Sequence, residues 1–265
     1  MKIGVLGASG RLGSELVRQG CIPVYDRLES GTIIKSVKKF DCIINTAAYT
    51  DVDGCESDPV RAMNNNAIYL QTFVGYFRGK IVHISTDYIF DGKSGPYTES
   101  AEPKPIGIYG ATKLLGENVI RDRNRDDLIV RTTVLFGAIG DNFANSVVAK
   151  LEKGKKISLP VNLIGNATYI PHLASAILYA TRHNDYGIRN IAGRTILSRY
   201  HLGVAIAEKF GFDPELISMK LYDGPNNRPL MAGLVMGKNY PMMTTINEAL
   251  DDYKAALKLF REGNL

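Results

Sequence analysis

Tyr109 and Lys113 lie four positions apart, with Ser85-Thr86 upstream of them. Four residues apart on a helix means one shared face, so the ammonium can stand beside the phenol. A free phenol has a pKa of about 10, too high for acid-base work near neutrality. A neighbouring cation is expected to stabilise phenolate and lower that value, each unit being about 1.4 kcal/mol. Such a tyrosine can give its proton to a carbonyl oxygen while hydride arrives at the carbon. The Thr86 hydroxyl, at the end of a strand, can hold the same oxygen. Ser85 is the neighbouring hydroxyl, expected on the opposite face of that strand. The chemistry implied is ketone reduction by a nicotinamide cofactor, NADP(H) or NAD(H).

Such a set needs a dinucleotide cradle, and the N-terminal segment supplies one. Lys2 to Leu6 is an apolar strand pattern, followed by Gly7, Gly10 and Gly13 and then a helix from about Arg11. Gly7 allows the tight turn, Gly10 lets backbone approach a pyrophosphate, and Gly13 lets helix and strand pack closely. The spacing is GxxGxxG rather than GxGxxG. Free amides at the helix start then face the phosphates. Asp26 ends a second strand where an acid would bond ribose hydroxyls, whereas Arg27 or Arg11 would hold a 2′-phosphate. The choice between NAD and NADP stays open. Asn45-Thr46-Ala47-Ala48 ends a third apolar run, where small residues admit a cofactor ribose.

The elements that position these residues alternate. Strands are expected at 2–6, 22–26, 41–45, 80–85 and from 128, and helices at 11–19, 33–40, 58–78 and from 109 to 121. This rhythm means a Rossmann-type, doubly wound parallel sheet of the α/β class. Two units are expected: a dinucleotide-binding domain over 1–145, to which later segments return, and a smaller substrate lobe over 146–265. In that lobe helices are expected at 173–182, 200–210 and 246–261, with a Gly/Pro/Asn-rich stretch over 223–241.

Composition narrows the class. The 265 residues are 45% hydrophobic and 22% charged, with a net charge of +5. That is the profile of a soluble globular protein. No apolar run reaches membrane-spanning length, and the first residues lack a secretion signal, so a cytoplasmic location is expected. Cys21, Cys42 and Cys55 have no metal-ligand spacing and fit a reducing compartment. The lysine runs at 35–39 and 150–156 read as solvated helix ends rather than a nucleic-acid surface. A mildly positive surface favours an anionic small substrate.

The chain resembles the extended short-chain dehydrogenase/reductases and, within them, the dTDP-4-dehydrorhamnose reductase family. The resemblance is carried by GASGRLG from Gly7, INTAAYTDVDGCESDP from Ile44, NAI from Asn66 and STDYIFDG from Ser85. It continues through YTE from Tyr97, Pro103 and Pro105, YGATKLLGE from Tyr109, RTTVLFG from Arg131 and GDNF from Gly140. After Phe143 it thins to NIAG from Asn190 and Arg228-Pro229. It implies Thr86, Tyr109 and Lys113 as the catalytic set. It places Gly7, Gly10, Arg11, Leu12, Ala47, Ala48, Tyr49 and Asn66 along the cofactor, with Asp26 and Ser85 added from the spacing above. Asp87 and Tyr88 would border a nucleotide-sugar substrate, and Asn142 and Arg228 would contact its nucleotide.

The related 4,6-dehydratases carry Thr-Asp-Glu where this chain has Thr86-Asp87-Tyr88, which favours simple reduction. The departures are informative too. The family usually has a tryptophan where Val134 stands, and the chain has no Trp. The segment between Asp26 and Asp41 is short enough to lose one usual strand and its adenine contact. Glu15 matches an acidic position that some relatives use in an Mg²⁺-bridged dimer; a solvated helix face is the plainer reading, no metal is expected, and a homodimer is left open. Two rival readings follow: a reductase or epimerase/reductase of another keto-sugar nucleotide, and a non-catalytic cofactor-binding subunit resembling the regulatory subunit of methionine adenosyltransferase.

Overall fold

The computed structural model describes residues 1–25, 36–225 and 227–264. Asp26, Arg27 and the first three residues of the helix expected at 33–40 lie outside the described residues.

Six strands form one sheet, in the spatial order Gly187–Asn190, Leu128–Thr132, Lys80–Thr86, Cys42–Asn45, Ile3–Leu6, Ile22–Val24. Every neighbouring pair is parallel. The central segments IGVL, CIIN and LIVRT are buried along their whole length, as strands covered by helices on both faces must be. From Ile3–Leu6 the chain adds Ile22–Val24 on one side and then Cys42–Asn45 on the other. The direction of winding reverses there, which opens a crevice at the carboxyl ends of these strands. Among the described residues Ile22–Val24 is the sheet edge, in line with the short segment that follows it.

Helices cover the sheet on both sides. Arg11–Arg18 packs with Ile170–Arg182 on one face, through Leu12, Leu16, Leu173 and Ile177. On the other face Phe73, Phe77 and Ile120 meet Ile43, Ile81 and Ile129. A separate core is built from Phe136, Val148, Leu151, Leu202, Ile206, Leu250 and Tyr253, joining helices Phe143–Leu151, Arg199–Phe210 and Ile246–Arg261.

Two helices differ from the sequence reading. The helix expected over 58–78 is two α-helices, Pro59–Met63 and Tyr69–Tyr76, joined by a π-helical turn Asn64–Ile68. A π turn is a widened helix that re-aims side chains, and here it carries Asn66. Helix Phe143–Leu151 was not expected, although Asn142 caps it by accepting a 3.1 Å bond from Asn145 N–H. Strand Gly187–Asn190, a later segment of the kind expected to return to the first domain, pairs with Leu128–Thr132. No helix among the described residues is long and apolar enough to cross a membrane.

Candidate active site

A cavity of about 560 Å³ occupies the crevice at the strand ends. It is lined by Ser9, Gly10, Arg11, Leu12 and Gly13 of the glycine turn, by Thr86, Tyr109 and Lys113, and by Asp87, Tyr88, Val134 and Arg199.

The glycine turn has the shape a dinucleotide requires. Gly7 sits at φ +77°, in the left-handed region, and an added Cβ would stand 2.7 Å from the Ala47 nitrogen. At Gly13 a Cβ would stand 2.1 Å from the Gly7 carbonyl oxygen, so only glycine lets the helix start so close to the loop. Helix Arg11–Arg18 has Gly10 at its N-cap, no capping side chain and no acid in its first turn. Its first amides therefore stay available to an anion, with the helix dipole favouring one. The residues present fit a pyrophosphate at this end.

The catalytic candidates converge as their spacing implied. Thr86 ends strand Lys80–Thr86, and Tyr109 and Lys113 share the inner face of helix Ile108–Arg121. Lys113 is buried and donates a 2.6 Å hydrogen bond to the Ile84 carbonyl. Burial lowers its pKa to about 8, with Glu117 one turn along opposing the shift. Burial raises the Tyr109 phenol, while a hydrogen bond with Thr86 opposes that rise. The expected acidification of Tyr109 by Lys113 is thus corrected. Desolvation sets the direction of the Tyr109 shift, and the ammonium is directed at the Ile84 carbonyl. The phenol holds its proton at neutral pH.

Asp87 is buried with a pKa raised to about 6 by burial, against bonds from Thr133 and Thr86. Those bonds measure 2.5 Å from Thr133 and 3.1 Å from Thr86. Tyr88 stacks edge-on against Tyr109 at 5.4 Å, and burial raises its phenol to about 12. Ser85 lines the cavity, but its hydroxyl donates a 2.6 Å bond to Glu117, which is held in turn by Arg131 at 2.7 and 2.9 Å. This buried set braces the Ser85-Thr86 strand end from behind.

Other predicted residues stand apart from the cavity lining. Ala48 lines it; Gly7, Ala47, Tyr49 and Asn66 do not. Asn66 clasps the Tyr49 backbone from both sides, accepting from its N–H at 2.8 Å and donating to its carbonyl at 3.1 Å. Tyr49 lies under the Arg61 guanidinium, 4.4 Å from the ring centre. These two shape the wall from behind. Asn142 is a helix cap, and its amide donates to the Gly137 and Gly140 carbonyls. Arg228 makes two 2.8 Å bonds to Asp53, which raise its pKa and lower that of Asp53. Neither lines the cavity. Glu15 is buried and bonded to Arg18 and Gln19, because those two side chains fold back over it.

The residue that sequence reasoning missed is Arg199, the first residue of helix Arg199–Phe210. A cation in a first helical turn opposes the helix dipole, and that anomaly was a legible signal. Val134 has φ 43°, which a β-branched residue adopts only under strain. Such strain gathers at functional sites.

Comparison with known proteins agrees with this geometry. The RmlD substrate binding domain family matches residues 1–262. A spore coat polysaccharide biosynthesis protein of Bacillus subtilis is 32% identical, covering 89% of this chain and 88% of its own length. A dTDP-4-dehydrorhamnose reductase of Mycobacterium tuberculosis is 31% identical over 80% of this chain and 77% of its own. The crystal structure of a dTDP-4-dehydrorhamnose reductase from Bacillus anthracis, solved in complex with NADP, is 26% identical with a TM-score of 0.88, covering 96% of this chain and 99% of that one. With the family pattern spanning nearly the whole chain and the glycine turn, Thr86, Tyr109 and Lys113 gathered on one cavity, the protein belongs to the dTDP-4-dehydrorhamnose reductase family of NAD(P)-dependent oxidoreductases.

Proposed function

We propose that the protein reduces the 4-keto group of a nucleotide-linked 6-deoxy sugar with NADPH or NADH, converting dTDP-4-dehydro-L-rhamnose to dTDP-L-rhamnose. The observation that carries this is the single cavity joining the glycine turn to Thr86, Tyr109 and Lys113. The named relatives and the NADP complex of the Bacillus anthracis protein support the same reading. The sheet unit, residues 1–145 with the returning strand 187–190, is assigned the cofactor. The remainder forms the substrate lobe.

The glycine turn and the open start of helix Arg11–Arg18 would hold a nicotinamide dinucleotide, which when bound would supply hydride for C4. Thr86 holds the ketone oxygen with its hydroxyl, in a site dry enough for that bond to act at full strength. The phenol of Tyr109, kept protonated by burial, delivers its proton to O4 as negative charge develops there. Lys113, one helical turn from Tyr109 on the same cavity, keeps its positive charge below about pH 8, which steadies the phenolate left behind. Asp87 and Tyr88 border the sugar. The intact Thr86, Tyr109 and Lys113 set supports turnover over a purely regulatory role.

Purified protein assayed at the absorbance band of reduced nicotinamide, with both cofactors and the dTDP-linked 4-keto sugar, tests the reading. Tyr109→Phe should lower kcat by at least about 100-fold, the range of a lost general acid, with cofactor affinity retained. Near-normal turnover in that variant refutes the mechanism. One observation favours a second substrate. Val134 stands where the family usually has tryptophan, and it lines the cavity in a strained conformation. Faster turnover of a different keto-sugar nucleotide in a substrate panel would select that alternative.

A further inference from the structure

Four basic side chains stand on or beside the cavity, and three of them are committed. Arg11 is exposed at the cofactor end and donates to the Asp141 carbonyl at 3.0 Å. Lys113 donates to the Ile84 carbonyl. Arg228, expected from the sequence to meet the nucleotide, holds Asp53 with both terminal nitrogens. Arg199 is different. Its backbone N–H bonds the Leu163 carbonyl, but among the described residues its guanidinium has no hydrogen bond and no carboxylate within ion-pairing distance. The Phe143 ring centre lies 5.7 Å from the guanidinium carbon, and the Asp87 and Tyr88 side chains act on the charge through space without bonding it.

An arginine with five donors, set in a partly desolvated cavity wall, is costly to leave unpaired. The cost is greater here because Arg199 stands in the first turn of its helix, against the dipole. A counter-charge that arrives from outside the chain removes both costs. Arg199 lines the cavity with Asp87, Tyr88 and Val134, and its charge couples to Asp87 and Tyr88 rather than to the glycine turn. The anion it meets therefore belongs to the substrate, and a planar fork of N–H donors suits two phosphate oxygens.

We propose that Arg199 is the anion anchor of the substrate site and binds the diphosphate of the nucleotide sugar, whereas the sequence had offered Asn142 and Arg228 as candidate nucleotide contacts. The inference rests on the proposed nucleotide-sugar reading and specifies which residue recognises the nucleotide-linked part. It also assigns a use to the first turn of Arg199–Phe210, whose Ser198 cap is occupied by the His201 N–H at 3.1 Å. Asp87 contributes to the same field, since Arg199 draws its carboxyl toward the charged form. Arg199 thereby favours an ionised Asp87 beside the sugar while holding the diphosphate.

The test uses the NADP⁺-loaded protein with thymidine diphosphate, UDP and inorganic pyrophosphate as calorimetric probes. Arg199→Gln should weaken thymidine diphosphate by about 10- to 100-fold, the loss of a charge-assisted bond. Arg199→Lys should fall between the variant and the parent. Affinity for NADP⁺ should be unchanged in both, which also shows that they are folded. In turnover the loss should appear in KM, with kcat altered only a few-fold. Unchanged thymidine diphosphate affinity in Arg199→Gln overturns the proposal and leaves the reductase reading standing. So does a loss confined to NADP⁺ affinity, or an altered acid limb of the pH profile with diphosphate affinity intact. A wild-type protein that binds none of the three probes overturns both the proposal and the nucleotide-linked substrate.

Discussion

Replacing Lys113 by methionine should abolish efficient turnover and make the protein more stable. Burial lowers the lysine from its ordinary value of 10.5 to about 8. The displacement of roughly 2.5 units is worth about 3 kcal/mol, because each unit is about 1.4 kcal/mol. The sign follows from proton counting. Between about pH 8 and 10.5 the unfolded chain binds the proton that the folded chain has lost, so stability rises with pH across that window. Below pH 8 the folded state carries the full cost of a buried ammonium. Methionine has a similar length and no charge, so the variant loses that cost and also the bond to the Ile84 carbonyl, worth about 1 kcal/mol. A net gain of roughly 1–2 kcal/mol at pH 7 is expected from these two terms. Catalysis should move the other way. In the parent, kcat should fall as pH rises through about 8, while stability climbs. Urea denaturation at pH 7 and pH 9.5, with a kcat profile at saturating substrate, measures both. A less stable Lys113→Met, or a parent kcat that is flat to pH 10, refutes the assignment of a desolvated catalytic lysine.

Asp87→Asn should also stabilise the fold at pH 7. The folded carboxyl titrates near 6, above its ordinary value, so folded-state charge costs stability as pH rises through about 4 to 6. The gain of up to about 3 kcal/mol at pH 7 should vanish near pH 4, as read by denaturation at the two values. Glu117→Gln should destabilise by about 3–5 kcal/mol, because Arg131 keeps its charge in a buried site with its partner gone. The same change removes the one charge that raises Lys113, so the alkaline limb of kcat should shift to lower pH. Gly13→Ala places a Cβ 2.1 Å from the Gly7 carbonyl oxygen, so the turn must open. Stability should fall by about 1–3 kcal/mol and cofactor affinity with it, measurable by nucleotide fluorescence titration.

Much of the site was legible because it is local. Tyr109 and Lys113 are joined by helical periodicity alone, and the glycine turn by its place between a strand and a helix. The parallel strands were legible because a doubly covered strand must be apolar at every position, as Cys42–Ile44 and Leu128–Val130 are. What could not be read depends on contacts distant in sequence. Arg228 and Asn142 looked like ligand contacts because they are polar residues in recognisable segments. Only folding shows that Asp53 occupies the first and a helix start occupies the second. Arg199 gave one local signal, a cation in a first helical turn, but its sequence neighbours do not show that no carboxylate bonds it. Asn66 illustrates a third case. Its side chain is used on the Tyr49 backbone, so it acts on the cavity through the wall it supports. Helix Phe143–Leu151 was a missed pattern, since Phe143, Val147, Val148 and Leu151 recur at helical spacing behind an asparagine cap.

One physical condition, dryness, acts on the whole reacting centre, and its effects on different groups have opposite signs. Removing water raises an acid that is neutral when protonated and lowers one that is charged when protonated. Tyr109 and Asp87 therefore rise while Lys113 falls. For ketone reduction this combination is productive. The tyrosine must begin with its proton, and burial keeps it there at neutral pH. The reverse reaction, oxidation of an alcohol, must begin with a phenolate, and the same burial makes that form scarce. The charge that could offset this is the Lys113 ammonium, which below about pH 8 is held on the Ile84 carbonyl rather than on the phenol. The resting site is thus biased toward proton donation by desolvation itself, and the lysine's positive charge matters chiefly once the proton has left.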